Sequence, residues 1–472
     1  MFEWQRLNKI VATLWPVISQ KWILKQIDKY VDIYRINLSH ADLIKTRNLI
    51  KDIRSINSKK VFMLDTKWPE VRTTNEEILV EKWDIVKVFS EKKDWEISFD
   101  YEYFANIPTE IEISFNDKEV VATIKENNTD YLIIEIIQWG KIGFNKTVNF
   151  IWYEIELDFL TEKDKNDIKF LVEENIWLLA VSFVKTGEDV IKLRKFVKDN
   201  FDYNVKIVSK IETVSAVKNI DDIIKNSDGI MIARWDLWAN MNLIELPKVQ
   251  REIIKKCNLS WKPVILATQV MSSMTQKPIP SRAEVDEIAY SIEEWADALM
   301  LSDETATWSF PIETLQMLNN IILEYQYEVK NIKFNWEEIH NYVNKEDEIT
   351  DYILYTAKKV ASKLWAKFII TPTISWYTPW KISAFKPNVP IIAITENENI
   401  FKYCNLMFGV WPHKLNLSVP YEQLKRMIWE MLQLEFRWKM KWEDKIIIVH
   451  SNVSLNTPKM INWLEVIKFK DL

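Results

Sequence analysis

Short apolar segments rich in valine and isoleucine, each ending in polar residues, recur eight times in the first three hundred positions. They begin near Lys9, Val31, Val61, Leu178, Lys206, Gly229, Pro263 and Ala298. Most of the intervals between them carry apolar residues at helical spacing, which is the pattern of repeated βα units. Eight such units predict a (β/α)₈ TIM barrel of the α/β class.

The interval between the third and fourth segments is much longer than the others. Residues 76–150 within it alternate apolar and polar side chains with period two, which predicts an inserted all-β domain that forms a lid. Further apolar segments near Lys367, Val389 and Lys445 alternate with helical patterns and predict a C-terminal open α/β domain. The predicted domains are a catalytic barrel (1–67 and 153–330), a β-barrel lid (68–152) and a C-terminal domain (346–472) for an effector and subunit contacts.

Composition excludes several classes of protein. The 62 Lys and Arg are interspersed with 68 Asp and Glu, so the basic stripe of a nucleic-acid binder is missing. Two cysteines in 472 residues exclude a disulfide scaffold and a cysteine-based zinc site, so any metal would need oxygen ligands. Because no apolar run is long enough to span a bilayer and the N-terminus lacks a secretory signal pattern, we expect a cytoplasmic protein with no membrane partner.

The glycine content is abnormal, with 5 Gly beside 23 Trp. Average usage would give about 33 Gly in a chain of this length. Several tryptophans, such as Trp68, Trp83 and Trp261, stand in turn-like contexts that favour a small residue. Our hypothesis is that many of them are glycine in the natural protein, through UGA codons that the source organism reads as glycine. The alternative is a genuinely tryptophan-rich protein.

Active sites of such barrels lie at the carboxyl ends of the strands. The polar residues that end the second to seventh segments are therefore the candidates, and they offer several cations, two carboxylates suited to Mg²⁺ and hard oxygen ligands for a second cation. These residues are Arg35, Asn37, Ser39, His40, Asp65, Thr66, Lys67, Ser182, Lys210, Glu212, Arg234, Asp236, Thr268 and Gln269. Together they suit an anionic, phosphorylated substrate, although the strand ends of any barrel are polar. The sequence has no Walker A or G-x-S-x-G motif, which argues against a P-loop ATPase and an α/β-hydrolase.

Seven motifs, in order and spacing, resemble the pyruvate kinase family from about Lys9 to Pro311, and the C-terminal part resembles it more loosely. They are Asn8–Pro16, Arg35–His40, Leu64–Thr73, Ser209–Glu212, Ala233–Trp238, Lys262–Gln269 and Leu301–Ala306. A glycine in place of the motif tryptophans restores the family pattern at Trp15, Trp68, Trp235, Trp238, Trp261, Trp295 and Trp308. Asp303, Thr307, Lys118 and Thr147 depart from the pattern in ways that this change does not explain.

The resemblance implies transfer of the phosphoryl group of phosphoenolpyruvate to ADP, which gives pyruvate and ATP in the last step of glycolysis. It implies catalytic roles for Lys210 and Arg35 at the phosphoryl group and for Thr268 beside the enolate carbon, where a proton relayed through water must arrive. It also implies Mg²⁺ or Mn²⁺ at Glu212 and Asp236, and K⁺ at Asn37, Ser39, Asp65 and Thr66, with Glu70 marking K⁺ dependence. Substrate contacts would add Trp235 and Ser182, and nucleotide contacts would come from His40, Arg72 and Lys146, with Asp117 of the lid near the cleft.

Further implications concern regulation and assembly. The segment with Thr373, Ser375 and Thr378 resembles a loop that holds a sugar-phosphate effector, although a plain strand-to-helix turn would fit the same residues. Family members are usually homotetramers. Two other readings stay open. One is a different barrel enzyme, a lyase or mutase that acts on phosphoenolpyruvate or pyruvate with Mg²⁺. The other is a catalytically silent binding or regulatory protein, if the motif tryptophans are real.

Overall fold

The structure is a computed structural model that describes most of the chain. The described residues are 6–14, 20–39, 41–66, 71–93, 95–101, 103–116, 118–151, 153, 160–306, 309–326, 348–436, 440–450 and 463–472. Within them, no helix is long and apolar enough to cross a membrane.

Eight parallel strands close into a barrel, which confirms the predicted TIM-barrel fold. Around the barrel they follow the order β1-β16-β15-β14-β13-β12-β3-β2. Their bounds are β1 Lys9–Leu14, β2 Ile33–Asn37, β3 Val61–Asp65, β12 Leu178–Val181, β13 Lys206–Ile211, β14 Gly229–Ala233, β15 Val264–Ala267 and β16 Ala298–Leu301. Nearly all of their residues are buried, because helices cover the outside of the barrel and side chains fill its interior.

Helices alternate with these strands. They are α1 Lys21–Ile27, α2 Leu43–Ile56, α3 Glu162–Glu173, α4 Gly187–Phe201, α5 Val214–Lys218, α6 Ile220–Asn226, α7 Arg234–Asn240, α8 Leu246–Leu259, α9 Arg282–Glu293, α10 Asp303–Ala306 and α11 Pro311–Tyr325. Capping boxes at Thr161, Thr186 and Ser281 begin α3, α4 and α9. Each box satisfies backbone N–H groups that the first turn leaves free, so the sequence itself fixes where these helices begin.

The long insertion is all-β, as its alternating pattern predicts. It forms a six-stranded sheet in the order β11-β7-β8-β9-β5-β6 and a two-stranded sheet of β10 and β4. The strands are β4 Ile78–Val80, β5 Ile85–Phe89, β6 Ile97–Ser98, β7 Glu112–Phe115, β8 Val120–Asn127, β9 Tyr131–Gln138, β10 Gly140–Ile142 and β11 Val148–Phe150. Phe99 is fully buried at the centre of an aromatic cluster with Phe104, Phe115 and Phe150, so the insertion has its own core.

The C-terminal part is a separate α/β unit with a mixed sheet of five strands in the order β19-β18-β17-β20-β21. The strands are β17 Phe368–Pro372, β18 Ile391–Thr395, β19 Val410–Lys414, β20 Lys445–His450 and β21 Trp463–Lys468. The helices are α12 Glu348–Leu364, α13 Tyr377–Ala384, α14 Glu398–Cys404 and α15 Tyr421–Phe436. The predicted domain boundaries lie at or beside residues outside the described part of the chain, so they stay predictions.

Buried polar contacts join this C-terminal unit to the base of the barrel, away from the strand ends that carry the candidate site. Lys386 Nζ lies 2.7 Å from Asp297 Oδ1 in a buried ion pair. Lys9 Nζ, at the start of β1, donates to the carbonyl of Val410 at 2.5 Å. The Lys386–Asp297 pair therefore compensates its own charges at the junction, whereas Lys9 has a neutral carbonyl as its hydrogen-bond partner there.

Among the described residues, five tryptophans have the left-handed backbone conformation that favours glycine. The φ angles are 78° at Trp83, 65° at Trp95, 62° at Trp261, 70° at Trp295 and 56° at Trp365. A bulky side chain raises the energy of this conformation, whereas glycine adopts it freely. The backbone at these positions is therefore one that glycine would occupy without strain, in keeping with the glycine hypothesis.

Candidate active site

Two neighbouring strands bring a cation and a carboxylate together at the barrel mouth. Arg35 lies near the end of β2 and Asp65 ends β3. Arg35 Nε donates to Asp65 Oδ2 at 2.6 Å, and Arg35 Nη1 donates to Thr13 Oγ1 at 3.0 Å. Both side chains are buried, so the guanidinium is held in one orientation by partners on both sides.

Lys210 lies at the centre of this group of charges. Its Nζ is 2.8 Å from Glu212 Oε1 and 3.2 Å from Asp65 Oδ1, and it donates to Ser182 Oγ at 2.8 Å. Burial disfavours the charged amine, but the carboxylates of Asp65, Glu212 and Asp236 outweigh burial and raise the pKa of Lys210. Lys210 is thus a permanent cation in a place with little water.

The two predicted Mg²⁺ ligands follow neighbouring strands. Glu212 follows β13, and its Oε2 accepts a hydrogen bond from the Phe183 backbone N–H at 2.6 Å. Asp236 lies in the first turn of α7, directly after β14. Asn240 fixes the two backbones, because its Nδ2 donates to the carbonyls of Glu212 at 3.1 Å and of Asp236 at 2.9 Å.

The donor chemistry of this pair fits a hard divalent cation. Burial raises the pKa of Glu212, with Lys210 acting in the opposite direction, so a second cation would favour the ionised carboxylate. Among the residues that the structure describes, no cluster of three or more His, Cys, Asp or Glu side chains has metal-binding geometry. A metal at Glu212 and Asp236 would therefore need oxygen atoms of substrate or water as its other ligands.

The four residues predicted for K⁺ lie on β2 and β3 or directly after them. Asn37 and Asp65 are register partners in the sheet. Asn37 Oδ1 accepts from the Ser39 N–H at 3.1 Å, and the carbonyl of Thr66 accepts from Ser182 Oγ at 2.8 Å. These oxygens share one side of the mouth, although Asp65 is already engaged by Arg35 and Lys210.

Thr268 and Trp235 are joined directly. Thr268 follows β15, and its Oγ1 accepts from the Trp235 backbone N–H at 2.9 Å and donates to the Ala267 carbonyl at 2.7 Å. The indole of Trp235 packs edge-to-face on that of Trp238 with ring centroids 5.0 Å apart. Helix α7, which includes the predicted substrate contact Trp235, therefore carries two large aromatic rings where the family pattern has glycine.

Two of the predicted nucleotide contacts are neighbours in the lid. Arg72 forms an antiparallel bridge with Thr147, and its Nη1 donates to the Asn145 carbonyl at 2.9 Å. The backbone N–H of Lys146 donates to Thr73 Oγ1 at 2.8 Å. The residues outside the described part of the chain include His40, Lys67, Glu70 and Asp117.

The predicted effector residues form a compact turn between β17 and α13. Ser375 N–H donates to Thr373 Oγ1 at 3.3 Å, and Tyr377 N–H donates to Ser375 Oγ at 3.4 Å. Thr378 is buried in the first turn of α13. These hydroxyls serve the turn itself, so the local contacts agree with either of the two interpretations of this segment.

Three residues contact the site elements in ways that the sequence did not predict, although Arg234 is among the strand-end candidates. Lys118 of the lid donates from Nζ to the Trp238 carbonyl at 2.9 Å, at the end of α7. Arg234 donates to the carbonyl of Thr268, and Glu304 accepts from the N–H of Met271. The departure of Lys118 from the family pattern is the feature that could have indicated its contact. Arg234 and Glu304 lie in motifs in which other residues received the catalytic and ligand roles.

Comparison with known proteins places both parts of the chain in one family. The family model described as "Pyruvate kinase, barrel domain" matches residues 5–315, and "Pyruvate kinase, alpha/beta domain" matches residues 351–467. The chain is 34% identical to the pyruvate kinase of Clostridium acetobutylicum over 97% of this chain and 98% of that protein. It is 34% identical to that of Bacillus licheniformis over 86% and 71%, and 29% identical to that of Borreliella burgdorferi over 99% and 98%. The chain belongs to the pyruvate kinase family of phosphotransferases.

Proposed function

We propose that this chain transfers the phosphoryl group of phosphoenolpyruvate to ADP at the mouth of its barrel, releasing pyruvate and ATP. The observation that carries the proposal is the buried amine of Lys210, which Asp65, Glu212 and Ser182 hold between 2.8 and 3.2 Å away. A transferring phosphoryl group spreads negative charge over its oxygens, and fixed cations lower the energy of that state.

Lys210 and Arg35 are the two cations that would meet the phosphoryl group. Their carboxylate partners orient them before substrate arrives, so little reorganisation is needed during transfer. Both side chains are almost fully buried. Exclusion of water strengthens their interaction with the phosphoryl oxygens.

Glu212 and Asp236 would hold Mg²⁺ or Mn²⁺, and Asn37, Ser39, Asp65 and Thr66 would supply oxygen ligands for K⁺. A divalent ion bound there would polarise oxygens of the enolate and the phosphate. Within the chain itself, the Phe183 N–H holds the Glu212 carboxylate, and Asn240 holds the backbones of Glu212 and Asp236.

Pyruvate is completed by protonation of the enolate that remains after phosphoryl transfer. The π electron pair of the enolate forms a new C–H bond at the methylene carbon, and the enolate oxygen becomes the carbonyl of pyruvate. Thr268 is the hydroxyl that we assign to this step, with the proton drawn from solvent through a water relay, because a hydroxyl alone is a weak acid. We also propose that Arg72, Lys146 and His40 meet the nucleotide phosphates.

The remaining proposals concern the cellular location, the assembly and the regulation of the protein. We propose a cytoplasmic homotetramer and a sugar-phosphate effector at Thr373, Ser375 and Thr378. The support is the family resemblance, together with the turn at the end of β17 that contains Thr373 and Ser375.

The test is pyruvate formation that depends on phosphoenolpyruvate and ADP, with Mg²⁺ and K⁺. Two versions of the purified chain are compared: the sequence as written, and one with glycine at positions 15, 68, 235, 238, 261, 295 and 308. We expect the glycine version to turn over. If neither version forms pyruvate although both are folded, the transferase proposal fails.

A catalytically silent binding protein is the second candidate. The specific observation in its favour is the Trp235–Trp238 ring pair in α7, at the predicted substrate contact Trp235. A protein purified from its natural source with tryptophan at both positions, and without turnover, would support this candidate. Peptide masses that place glycine there would remove its basis.

A further inference from the structure

Two successive residues at the candidate site have a strained backbone. Thr268 has φ 64° and Gln269 has φ 51°, so both lie in the left-handed region. Threonine is β-branched and is a rare occupant of that region. Such a conformation raises the energy of the backbone and persists only where the surrounding structure fixes it. Something must therefore hold this segment in place.

Arg234 holds the segment from one side. Its guanidinium donates to the Thr268 carbonyl, at 2.5 Å from Nη2 and 3.1 Å from Nε, and lies 3.3 Å from the Ala267 carbonyl through Nε. Its side chain is 5% exposed, and Nη1 forms an ion pair with Glu287 of α9. Because Arg234 begins α7 directly after β14, its backbone is set by two regular elements.

Glu304 holds the same segment from the other side. This residue of α10 is 2% exposed. Its Oε1 accepts from the Met271 N–H at 3.0 Å and its Oε2 from the Ser302 N–H at 2.8 Å. Arg234 thus binds the carbonyls of Ala267 and Thr268 at the start of the segment, and Glu304 binds the N–H of Met271 at its end. We call Arg234 and Glu304 together the backbone clamp.

The clamp has a direct consequence for the Thr268 hydroxyl. Oγ1 of Thr268 accepts from the N–H of Trp235, which is the residue next to Arg234 in the chain. Arg234 therefore binds the carbonyl of Thr268, whose hydroxyl accepts this hydrogen bond, and it precedes Trp235, whose N–H donates it. Movement of Arg234 would displace the hydroxyl and the donor that orients it.

We propose that Arg234 is a positioning residue for the protonation step, with Glu304 as its counterpart, and that the two keep the Thr268 hydroxyl aimed at the enolate carbon. The proposal rests on the proposed function. The proposal assigns Arg234 to protonation and not to phosphoryl transfer. Phosphoryl transfer depends on Lys210 and Arg35, whose side chains are held by other partners. Loss of the clamp should therefore impair protonation more than phosphoryl transfer.

The test compares Arg234→Gln with Arg251→Gln, in whichever version of the chain turns over. Arg251 of α8 forms a surface pair with Glu294 at 3.3 Å and is a matched control. Two rates are measured in the same preparation. Phosphoryl transfer is followed as ATP formed from phosphoenolpyruvate and ADP. The proton step is followed by NMR as exchange of the pyruvate methyl hydrogens for deuterium in D₂O, with Mg²⁺, K⁺ and inorganic phosphate to fill the phosphoryl position.

We expect Arg234→Gln to slow methyl exchange about a hundredfold relative to phosphoryl transfer, as misplacement of a reacting group does. Arg251→Gln should leave the ratio of the two rates unchanged. The ratio does not depend on how much of the sample is folded, so partial unfolding of the variant does not imitate the effect. Equal loss of both rates in Arg234→Gln would overturn the proposal.

Glu304→Gln provides a second variant if Arg234→Gln does not fold. It keeps an acceptor for one of the two N–H groups and removes the charge, and we expect the same selective loss of exchange. An unchanged ratio in this variant would overturn the clamp. If the parent chain itself forms no ATP from phosphoenolpyruvate and ADP, the proposed function fails first, and the two failures are thereby told apart.

Discussion

The ammonium of Lys210 and the carboxylate of Glu212 lie 2.8 Å apart although only one residue separates them at the end of β13. Side chains two positions apart on a strand point to the same face, so this spacing directs both groups into the barrel mouth. The pair is buried, and Asp65 adds a second carboxylate at 3.2 Å. One short motif thus supplies a permanent cation and an anion that compensates it.

Removal of the Lys210 charge should affect catalysis and stability by separate routes. We expect Lys210→Met to lower kcat about a thousandfold, because a preorganised charge at the phosphoryl group is lost. Unfolding free energy should also fall by about 3 kcal/mol, because the buried Glu212 carboxylate loses its cation and Asp65 keeps only Arg35. Steady-state assays and urea titrations measure the two effects.

The double variant Lys210→Met with Glu212→Gln separates these routes, since it should recover part of the stability and none of the activity. Lys206→Met is the matched control at the other end of β13. Its partner is Asp228 at 2.8 Å, so this variant should lose stability while retaining kcat. Full activity in Lys210→Met would contradict the assigned role.

The sequence was sufficient to predict the barrel, the inserted β structure and the strand ends that carry the site. Those features follow from hydrophobic periodicity and from the rule that parallel strands end at one edge, as Lys210 and Glu212 illustrate. The ion pair of Arg35 with Asp65 could not be predicted in this way. The resemblance assigned those two residues to different ligands, and pairing across strands depends on register and rotamer.

The contacts around Thr268 show a second limit. A left-handed threonine leaves no trace in the sequence, because residue type indicates a positive φ only where glycine, asparagine or aspartate is present. The contact of Lys118 with the Trp238 carbonyl also leaves no sequence pattern, because it joins residues 120 positions apart. Tertiary contacts of this kind depend on the assembled fold and not on a local pattern.

Potassium should be required for turnover. Glu70, which lies outside the described residues, occupies the place where the family resemblance associates glutamate with K⁺ dependence. We expect full rates in K⁺ and strongly reduced rates in tetramethylammonium buffer that contains neither Na⁺ nor K⁺. Glu70→Lys is the matched variant and should turn over in both buffers. Equal rates of the parent chain in the two buffers would refute the K⁺ assignment.

Exposed tryptophans with left-handed backbone should be stabilised by glycine. Trp83, Trp95 and Trp365 are 65%, 94% and 82% exposed, so their side chains contribute little burial. We expect each substitution to glycine to raise the unfolding free energy by about 1 kcal/mol, through relief of the strained φ. The control is Trp22→Gly, at an exposed position within α1, which should lose about 0.5 kcal/mol because glycine is the poorer helix former. Urea denaturation of the four variants measures these changes in unfolding free energy. A lower unfolding free energy at all four positions would contradict the glycine hypothesis.

Lys9 should make stability depend on pH at the junction between the barrel and the C-terminal unit. Burial, only partly offset by Asp32, lowers the pKa of Lys9 from 10.5 to about 8. The unfolded chain therefore binds more protons than the folded chain between pH 8 and 10.5, so the contribution of Lys9 to stability rises with pH across this window. The destabilising effect is fully present below pH 8 and amounts to about 3 kcal/mol, at about 1.4 kcal/mol for each pKa unit.

Substitution at Lys9 tests this origin of the pH dependence. Lys9→Met has no charge to bury, so its stability relative to the parent chain should be highest near pH 7 and should decline as the pH approaches 10.5. Lys9→Arg keeps its charge over this range and should stay less stable than the parent, by a margin that grows with pH. Comparison with the parent cancels the titration of all other groups, because those groups are common to the three proteins. Urea titrations between pH 7 and 10.5 measure the differences, and a Lys9→Met difference that does not change with pH would show that Lys9 keeps its ordinary pKa.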